Sequence, residues 1–247
     1  MFTNIIKFMA HEEYVAIKED YPVPIKLNIP EWFKKLEHTL EKKTVKGCMP
    51  FLDTLTTGYL LKCPQDYGLA HNIINEEGKK DSKWHPLNLD PAVLFAKSIN
   101  LGKNSPDMHP TMQIEGSPAI EKNKDLPFFK IINPWIIKTP PGYSCLFLPP
   151  MNNHDDRFSI MPGIVDTDTY PNEINFPFVI NGDKYPHLDT VIKKGTPYAQ
   201  VIPFKRENWK MKIEGVSTKF LDKGKMFYFL KLLHIYKEKY WHKKKWT

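Results

Sequence analysis

The chain has 247 residues, of which 41% are hydrophobic and 26% charged, an ordinary globular composition that excludes a wholly disordered protein. No apolar run reaches the roughly 18 residues of a membrane-spanning helix, and the acidic N-terminal sequence lacks the features of a secretory signal. The formal charge of +7 comes almost entirely from lysine, a bias typical of an AT-rich coding sequence, so it gives only weak support for a nucleic-acid partner.

The cysteines and arginines restrict the chemistry further. Three widely spaced cysteines, with no CxxC pair among them, indicate neither a disulfide framework nor a thiolate zinc site, and they favour a reducing, cytoplasmic location. Arg157 and Arg206 are the two arginines of a lysine-rich chain. Because the guanidinium of arginine is a planar, bidentate donor, both residues are candidates for binding an anion. The alternative is that the two arginines are present by chance and have no such role.

The first 125 residues predict few regular elements. Residues 2–9 form a candidate strand, and the helical spacing of apolar side chains predicts a short amphipathic helix over residues 30–43. Residues 51–57 predict a turn or a short helix, and residues 58–63 a strand. Residues 71–125 are polar, rich in proline and aperiodic, with room for short strands.

From residue 126 to residue 214, short apolar runs alternate with Pro, Gly, Asn and Asp, which is the pattern of many short strands. Together with strands expected within residues 44–70, they predict a mainly β fold: a single β-sandwich, jelly-roll or β-clip-like barrel covering residues 1–247. Apolar residues among lysines predict a C-terminal helix over residues 217–243.

Two aspartates follow an apolar run in the segment GIVDTDTY. Asp166 and Asp168 stand two residues apart, so both carboxylates share one face if the segment is extended. Such a pair suits a divalent cation, or lets one carboxylate act as a base, and both are candidate catalytic residues. The alternative is that they stabilise a turn by accepting hydrogen bonds from backbone N–H groups.

Further polar residues are candidates for binding a ligand. Gln200 lies among apolar neighbours, where an amide must be hydrogen-bonded, so it either reads a ligand or ties down a loop. Tyr143 is a candidate for lining the same site, and Asn175 is a second candidate for a polar contact with the ligand. Asp53 is a further candidate binding residue. We expect the site where the segments PPGYS and GIVDTD meet the strand that carries Gln200.

A metal site is an alternative hypothesis. His154 and Asp156 form an H-x-D pair, as jelly-roll oxygenases use for iron, and His187 is a conceivable third ligand. The pair lies in the polar loop NNHDDRF, where such residues also occur without a metal.

Four segments resemble a family of uncharacterised proteins from marine phages and bacteria, over most of the chain: KGCMPFLDTLTTGYLLKCPQD, NPWIIKTPPGYSCLFLPPMN, PGIVDTDTYPNEINFPF and KKGTPYAQVIPFKRE. This resemblance implies a phage-like protein and brings no established activity with it.

Shorter motifs are similar, in the same chain order, to those of the dUTPase and dCTP-deaminase superfamily: Thr57-Gly58-Tyr59, Pro141-Gly142-Tyr143, residues 163–168 and residues 195–201. The resemblance implies a nucleotide-binding β scaffold with Asp166 at the catalytic position. Pro150 and Met151 replace the phosphate-binding Arg-Ser pair, and Leu60 replaces an aspartate. The implied catalytic set is therefore incomplete.

Three functions remain open. The leading hypothesis is a small-molecule or nucleotide-binding protein, with or without hydrolytic activity, in which Asp166 and both arginines face one cleft. The second is an Fe(II)-dependent jelly-roll oxygenase, which needs the two histidines and Asp156 to converge. The third is a non-catalytic assembly or partner-binding protein, such as a homo-oligomer, with no polar cleft and an exposed apolar patch around the C-terminal helix.

Overall fold

A computed structural model of the protein describes residues 4–73, 80–87, 108–229 and 235–247. The chain divides into two compact units, which we describe separately. Unit 1 comprises Met1–Val23 and Gly58–Lys205, and unit 2 comprises Pro24–Thr57 and Arg206–Thr247. The expectation of one domain over the whole chain stays a prediction.

The described residues form fourteen strands, most of them three to six residues long. Their bounds are β1 Lys7–Met9, β2 Val23–Pro24, β3 Tyr59–Lys62, β4 Tyr67–Asn72, β5 Asp81–Pro86, β6 Met108–His109, β7 Phe128–Ile131, β8 Ile136–Lys138, β9 Tyr143–Leu148, β10 Phe158–Ile160, β11 Gly163–Val165, β12 Phe176–Ile180, β13 His187–Ile192 and β14 Pro197–Lys205.

The strands form four open antiparallel sheets. The largest has the order β11-β9-β14-β3-β2, and a second has the order β10-β12-β7-β6. A third sheet runs β13-β4-β5, and β1 pairs with β8. The prediction of a mainly β, sandwich-like fold is therefore confirmed.

The core of unit 1 lies between these sheets, because alternate strand residues are apolar and face inward. Phe147 of β9, Phe176 of β12 and Tyr198 of β14 pack through tilted ring contacts, with centroids 5.4 Å apart in each pair. Trp135 and Tyr14 meet edge to face at 5.2 Å. These aromatic contacts join residues from separate sheets into one apolar cluster.

Gly58 shows how closely the strands approach. Its φ of +84° is the left-handed conformation that favours glycine, and a Cβ at this position would lie 2.2 Å from the carbonyl oxygen of Val201. A glycine is therefore required where the chain enters β3.

Five helices are described: α1 Glu12–Val15, α2 Glu31–Lys35, α3 Met49–Thr54, α4 Pro118–Lys122 and α5 Thr218–Phe229. A π-helical turn follows at Tyr236–Tyr240. No helix in the described ranges is long and apolar enough to cross a membrane.

The predicted helix over residues 30–43 is wrong in length, since α2 ends at Lys35. Side chains compete with the helical hydrogen bonds after this point. The backbone N–H of Thr44 donates to Nδ1 of His38 at 2.9 Å, and the N–H of Lys42 donates to Oγ1 of Thr39 at 2.9 Å. These bonds fold the segment into a turn.

Other elements match the predictions more closely. The strand expected over residues 58–63 is β3, and the turn or short helix expected over residues 51–57 overlaps α3. The C-terminal helix begins within one residue of the predicted start, but the segment from residue 236 is a π-turn that ends at Tyr240. Part of this predicted helix, residues 230–234, lies outside the described residues.

Candidate functional sites

The two aspartates lie in a turn that contacts the segment PPGYS. The strand β11 ends at Val165, so the extended segment that would place Asp166 and Asp168 on one face is not formed. Asp168 accepts a hydrogen bond from the backbone N–H of Gly142 at 2.8 Å, while Asp166 accepts one from Oγ of Ser144 at 2.6 Å.

Residues around the two carboxylates reinforce the turn. Thr167, between them, is fully buried, and its hydroxyl lies 2.8 Å from that of Thr139 and 3.3 Å from Sγ of Cys145. The carbonyl oxygen of Asp166 accepts the N–H groups of Thr169 and Tyr170. The geometry agrees with the alternative interpretation, in which aspartates stabilise a turn.

Tyr143 is the first residue of β9, whereas Gln200 of β14 lies opposite the last residue of β9. The hydroxyl of Tyr143 accepts a hydrogen bond from Nδ2 of Asn4 at 2.8 Å. Gln200 is fully buried in β14 opposite Leu148, and its Oε1 accepts the N–H of Met151 at 2.9 Å. Leu148 is the fifth residue after Tyr143 along the strand, which places the two about 16 Å apart. Gln200 therefore holds a loop in place at a distance from the aspartates.

Arg157 is engaged by its own neighbours. Its guanidinium binds the carboxylate of Asp155 in a bidentate manner, with Nε to Oδ1 at 2.9 Å and Nη2 to Oδ2 at 2.6 Å. Nη1 donates to the Thr190 hydroxyl at 2.9 Å and to the Val191 carbonyl at 3.3 Å. The hydrogen bonds that Arg157 donates to Asp155 raise the pKa of Arg157. The residue connects the loop before β10 to β13, which is a structural role.

Arg206 and Asp53 belong to unit 2, whereas the aspartates Asp166 and Asp168 belong to unit 1. Arg206 is exposed at the start of the segment that follows β14. Asp53 accepts hydrogen bonds from Nε1 of Trp241, at 3.1 Å to each oxygen, and from Nζ of Lys244 at 2.5 Å. Asp53 thus anchors the C-terminal segment.

The metal triad does not form. His154, Asp156 and His187 all lie in described ranges, and these ranges contain no group of three or more His, Cys, Asp or Glu side chains that could hold a metal ion. Asp156 instead binds Nζ of Lys184 and the hydroxyl of Tyr185, and these bonds lower its pKa. The carboxylate is therefore used by a surface ion pair.

Asn175 lies at a cavity of about 300 Å³ between β11 and the sheet that contains β6, β7 and β12. Most of the wall is apolar, and His109 and Gln113 are its other polar residues. The Oδ1 atom of Asn175 is buried and has no hydrogen-bond partner among the described residues. Asn175 is therefore a predicted binding residue that lines a cavity.

Two features were not singled out from the sequence. His71 of β4 is buried, and neither ring nitrogen has a hydrogen-bond partner in the part of the chain that the structure describes. Burial lowers its pKa, His187 adds to the decrease and Asp81 opposes it. A lone histidine in a polar region carries no sequence signal for burial.

The second feature is residues 206–217, which we call the arm. It is neither helix nor strand, and its apolar side chains are almost wholly exposed: Trp209 by 88%, Met211 by 82% and Ile213 by 87%. The alternation of these residues with Lys210, Lys212 and Glu214 was the signal that could have identified it.

In comparisons with known proteins, no family model matches the chain and no curated protein matches it either.

Proposed function

We propose that the protein acts in assembly and associates with a second copy of itself through the arm. The observation that carries the proposal is the exposure of Trp209, Met211 and Ile213, three large apolar side chains within five residues. Single exposed apolar residues are ordinary, but a contiguous set of this size marks an interaction surface.

The arm has the alternating pattern of a β-strand, although it pairs with no strand among the described residues. In an extended chain, alternate residues point to the same side, so the three apolar side chains share one face and Lys210 and Lys212 share the other. The lysine face stays solvated, and Lys212 pairs with Glu214. A second strand would pair with the backbone edge of the arm, and its own side chains would pack beside the apolar ones.

A second copy suits the arm because its pattern is self-complementary. In an antiparallel register centred on Met211, Trp209 lies opposite Ile213 of the partner subunit, and both apolar faces point the same way. Aromatic and β-branched residues form favourable cross-strand pairs. Phe220 and Leu221, which are exposed at the start of α5, extend the apolar surface.

The area is sufficient for a stable dimer. In the arm and at the start of α5, six apolar residues are between 49% and 88% exposed: Trp209, Met211, Ile213, Val216, Phe220 and Leu221. Together they offer roughly 800 Å² per chain, which is the share that one partner contributes to an interface of ordinary size.

The energies favour a reciprocal contact. Burial of Trp209, Met211 and Ile213 contributes about 5 to 8 kcal/mol per arm. Loss of translational and rotational freedom costs about 4 to 15 kcal/mol for the pair of chains, so one arm alone scarcely offsets it. Two arms that pack against each other double the favourable term to about 10 to 16 kcal/mol, which exceeds most of the range of this cost.

Sedimentation velocity over a range of concentrations tests the proposal. The arm variant Trp209→Ser/Met211→Ser/Ile213→Ser should sediment as a monomer where the wild type sediments as a dimer. The control variant Leu27→Ser/Leu40→Ser/Met112→Ser removes three exposed apolar residues elsewhere and should remain dimeric. A wild-type chain that stays at 28.9 kDa at every concentration, or equal loss of association in both variants, contradicts the proposal.

A further inference from the structure

We infer that the cavity beside Asn175 is a binding site for an uncharged heteroaromatic molecule that carries an N–H donor. The site is independent of the arm and would operate in either association state. The cavity measures about 300 Å³, the lower end of the range for small-molecule pockets, which fits one or two fused rings.

The walls favour a flat, apolar ligand. Phe128, Phe147 and Phe176 line the cavity together with Met161. The imidazole of His109 stacks on the ring of Phe128, with centroids 5.3 Å apart and planes inclined by 11°. Aromatic faces and edges of this kind pack well against another ring.

The cavity also excludes a charged ligand. None of the described residues that line it is Lys, Arg, Asp or Glu. A charge buried there would lose its hydration without gaining a counter-ion, so a phosphate or carboxylate group could only lie outside the cavity.

The polar atoms of the site call for a donor on the ligand. Nδ1 of His109 lies 2.7 Å from Oε1 of Gln113, and this oxygen can only accept, so Nδ1 donates to it. Oδ1 of Asn175 is a buried acceptor that has no donor among the described residues. A rotation about the soft χ2 torsion of Asn175 would be needed to turn this oxygen towards a ligand in the cavity.

An unpaired buried acceptor is unfavourable in the empty protein, and a ligand N–H would satisfy it. An apolar residue at position 175 would fill the wall equally well. A ligand that donates a hydrogen bond would give this asparagine the partner that it lacks among the described residues.

Ligand-observed NMR titration with indole and benzofuran tests the inference, because the two probes have the same shape and differ in the N–H donor. We expect indole to bind the wild type at least about fivefold more tightly than benzofuran, which corresponds to one hydrogen bond. In Asn175→Leu the two probes should bind equally. In Met161→Trp, which fills the cavity, both should lose binding.

Two results would overturn the inference. One is an absence of indole binding to the wild type. The other is an indole preference that persists in Asn175→Leu, which would place the donor's partner elsewhere. The Asn175→Leu variant keeps the test valid if the larger tryptophan is not accommodated, because an apolar residue of similar size at an unpaired polar position leaves the fold intact.

Discussion

Arg157 gives the sharpest test of the interactions that hold unit 1 together. Its guanidinium makes three hydrogen bonds to Asp155, one to the Thr190 hydroxyl and one to the Val191 carbonyl. Substitution Arg157→Met keeps the apolar stem and removes all five. The side chain of Asp155, only 15% exposed, then loses its cation.

The magnitude follows from this geometry. Hydrogen bonds to charged groups contribute about 1.5 to 3 kcal/mol each, and loss of one partner of a fully buried ion pair costs about 3 to 5 kcal/mol. The Arg157 side chain is 25% exposed, so we expect a decrease of about 2 to 4 kcal/mol in the free energy of unfolding. For a unit of this size the midpoint of thermal unfolding should fall by roughly 5 to 12 °C.

Thermal and urea unfolding, followed by circular dichroism, measure the effect. Lys184→Met is the matched control, because it removes the neighbouring ion pair with Asp156, whose side chains are 57% and 48% exposed. Such a pair contributes about 0 to 1 kcal/mol. Arg157→Lys should lie between the two, since lysine keeps the charge and loses the bidentate geometry. Equal losses in Arg157→Met and Lys184→Met would refute the reasoning.

Three further predictions concern glycine, histidine and cysteine. Gly58→Ala should destabilise unit 1 by more than about 2 kcal/mol in urea unfolding, because its Cβ meets a backbone oxygen at 2.2 Å, whereas Gly142→Ala, with a φ of +82° and open space, should cost about 1 kcal/mol. The pKa of His71 is lowered in the folded state, so its contribution to stability is present above about pH 6.5 and is lost as the pH falls towards the folded pKa; His71→Leu should flatten this part of the stability profile, and an unchanged slope would contradict it. A thiol reagent should modify Cys48, which is exposed, and leave the two buried thiols unreacted until unfolding; reaction of all three in the native protein would contradict the fold.

The β pattern was predictable because it depends on short-range periodicity. Runs of apolar residues between Pro, Gly, Asn and Asp locate β7, β9, β12 and β14, since each of these strands buries one or both faces. The strands β5 and β6 were not assigned, because their sequences, DSKWHP and MH, are short and polar. Tertiary pairing, rather than local preference, makes them strands.

The candidate residues were less predictable than the strands. Spacing placed Asp166 and Asp168 on a strand, but the chain turns at that point and the carboxylates accept hydrogen bonds from Ser144 and Gly142. Arg157 was recognised as a bidentate donor, but its acceptor is Asp155, two residues away. A sequence shows which groups can bind, whereas the choice between an internal and an external partner depends on the fold.

The cysteines show the same difference between what a sequence reveals and what depends on the fold. Their number and spacing excluded a disulfide framework, and the three thiols are free. Burial, which no local pattern shows, raises the pKa of Cys145 to about 11 and that of Cys63 further.

Hydrogen–deuterium exchange of the arm, at low and high protein concentration, tests the proposed self-association most directly. Peptides covering residues 208–214 should exchange rapidly when the protein is dilute and become protected as the concentration rises, because pairing with the arm of a second copy sequesters their N–H groups. The arm variant with three serines should show no such protection. Rapid exchange of these amides in the wild type at every concentration would contradict the account.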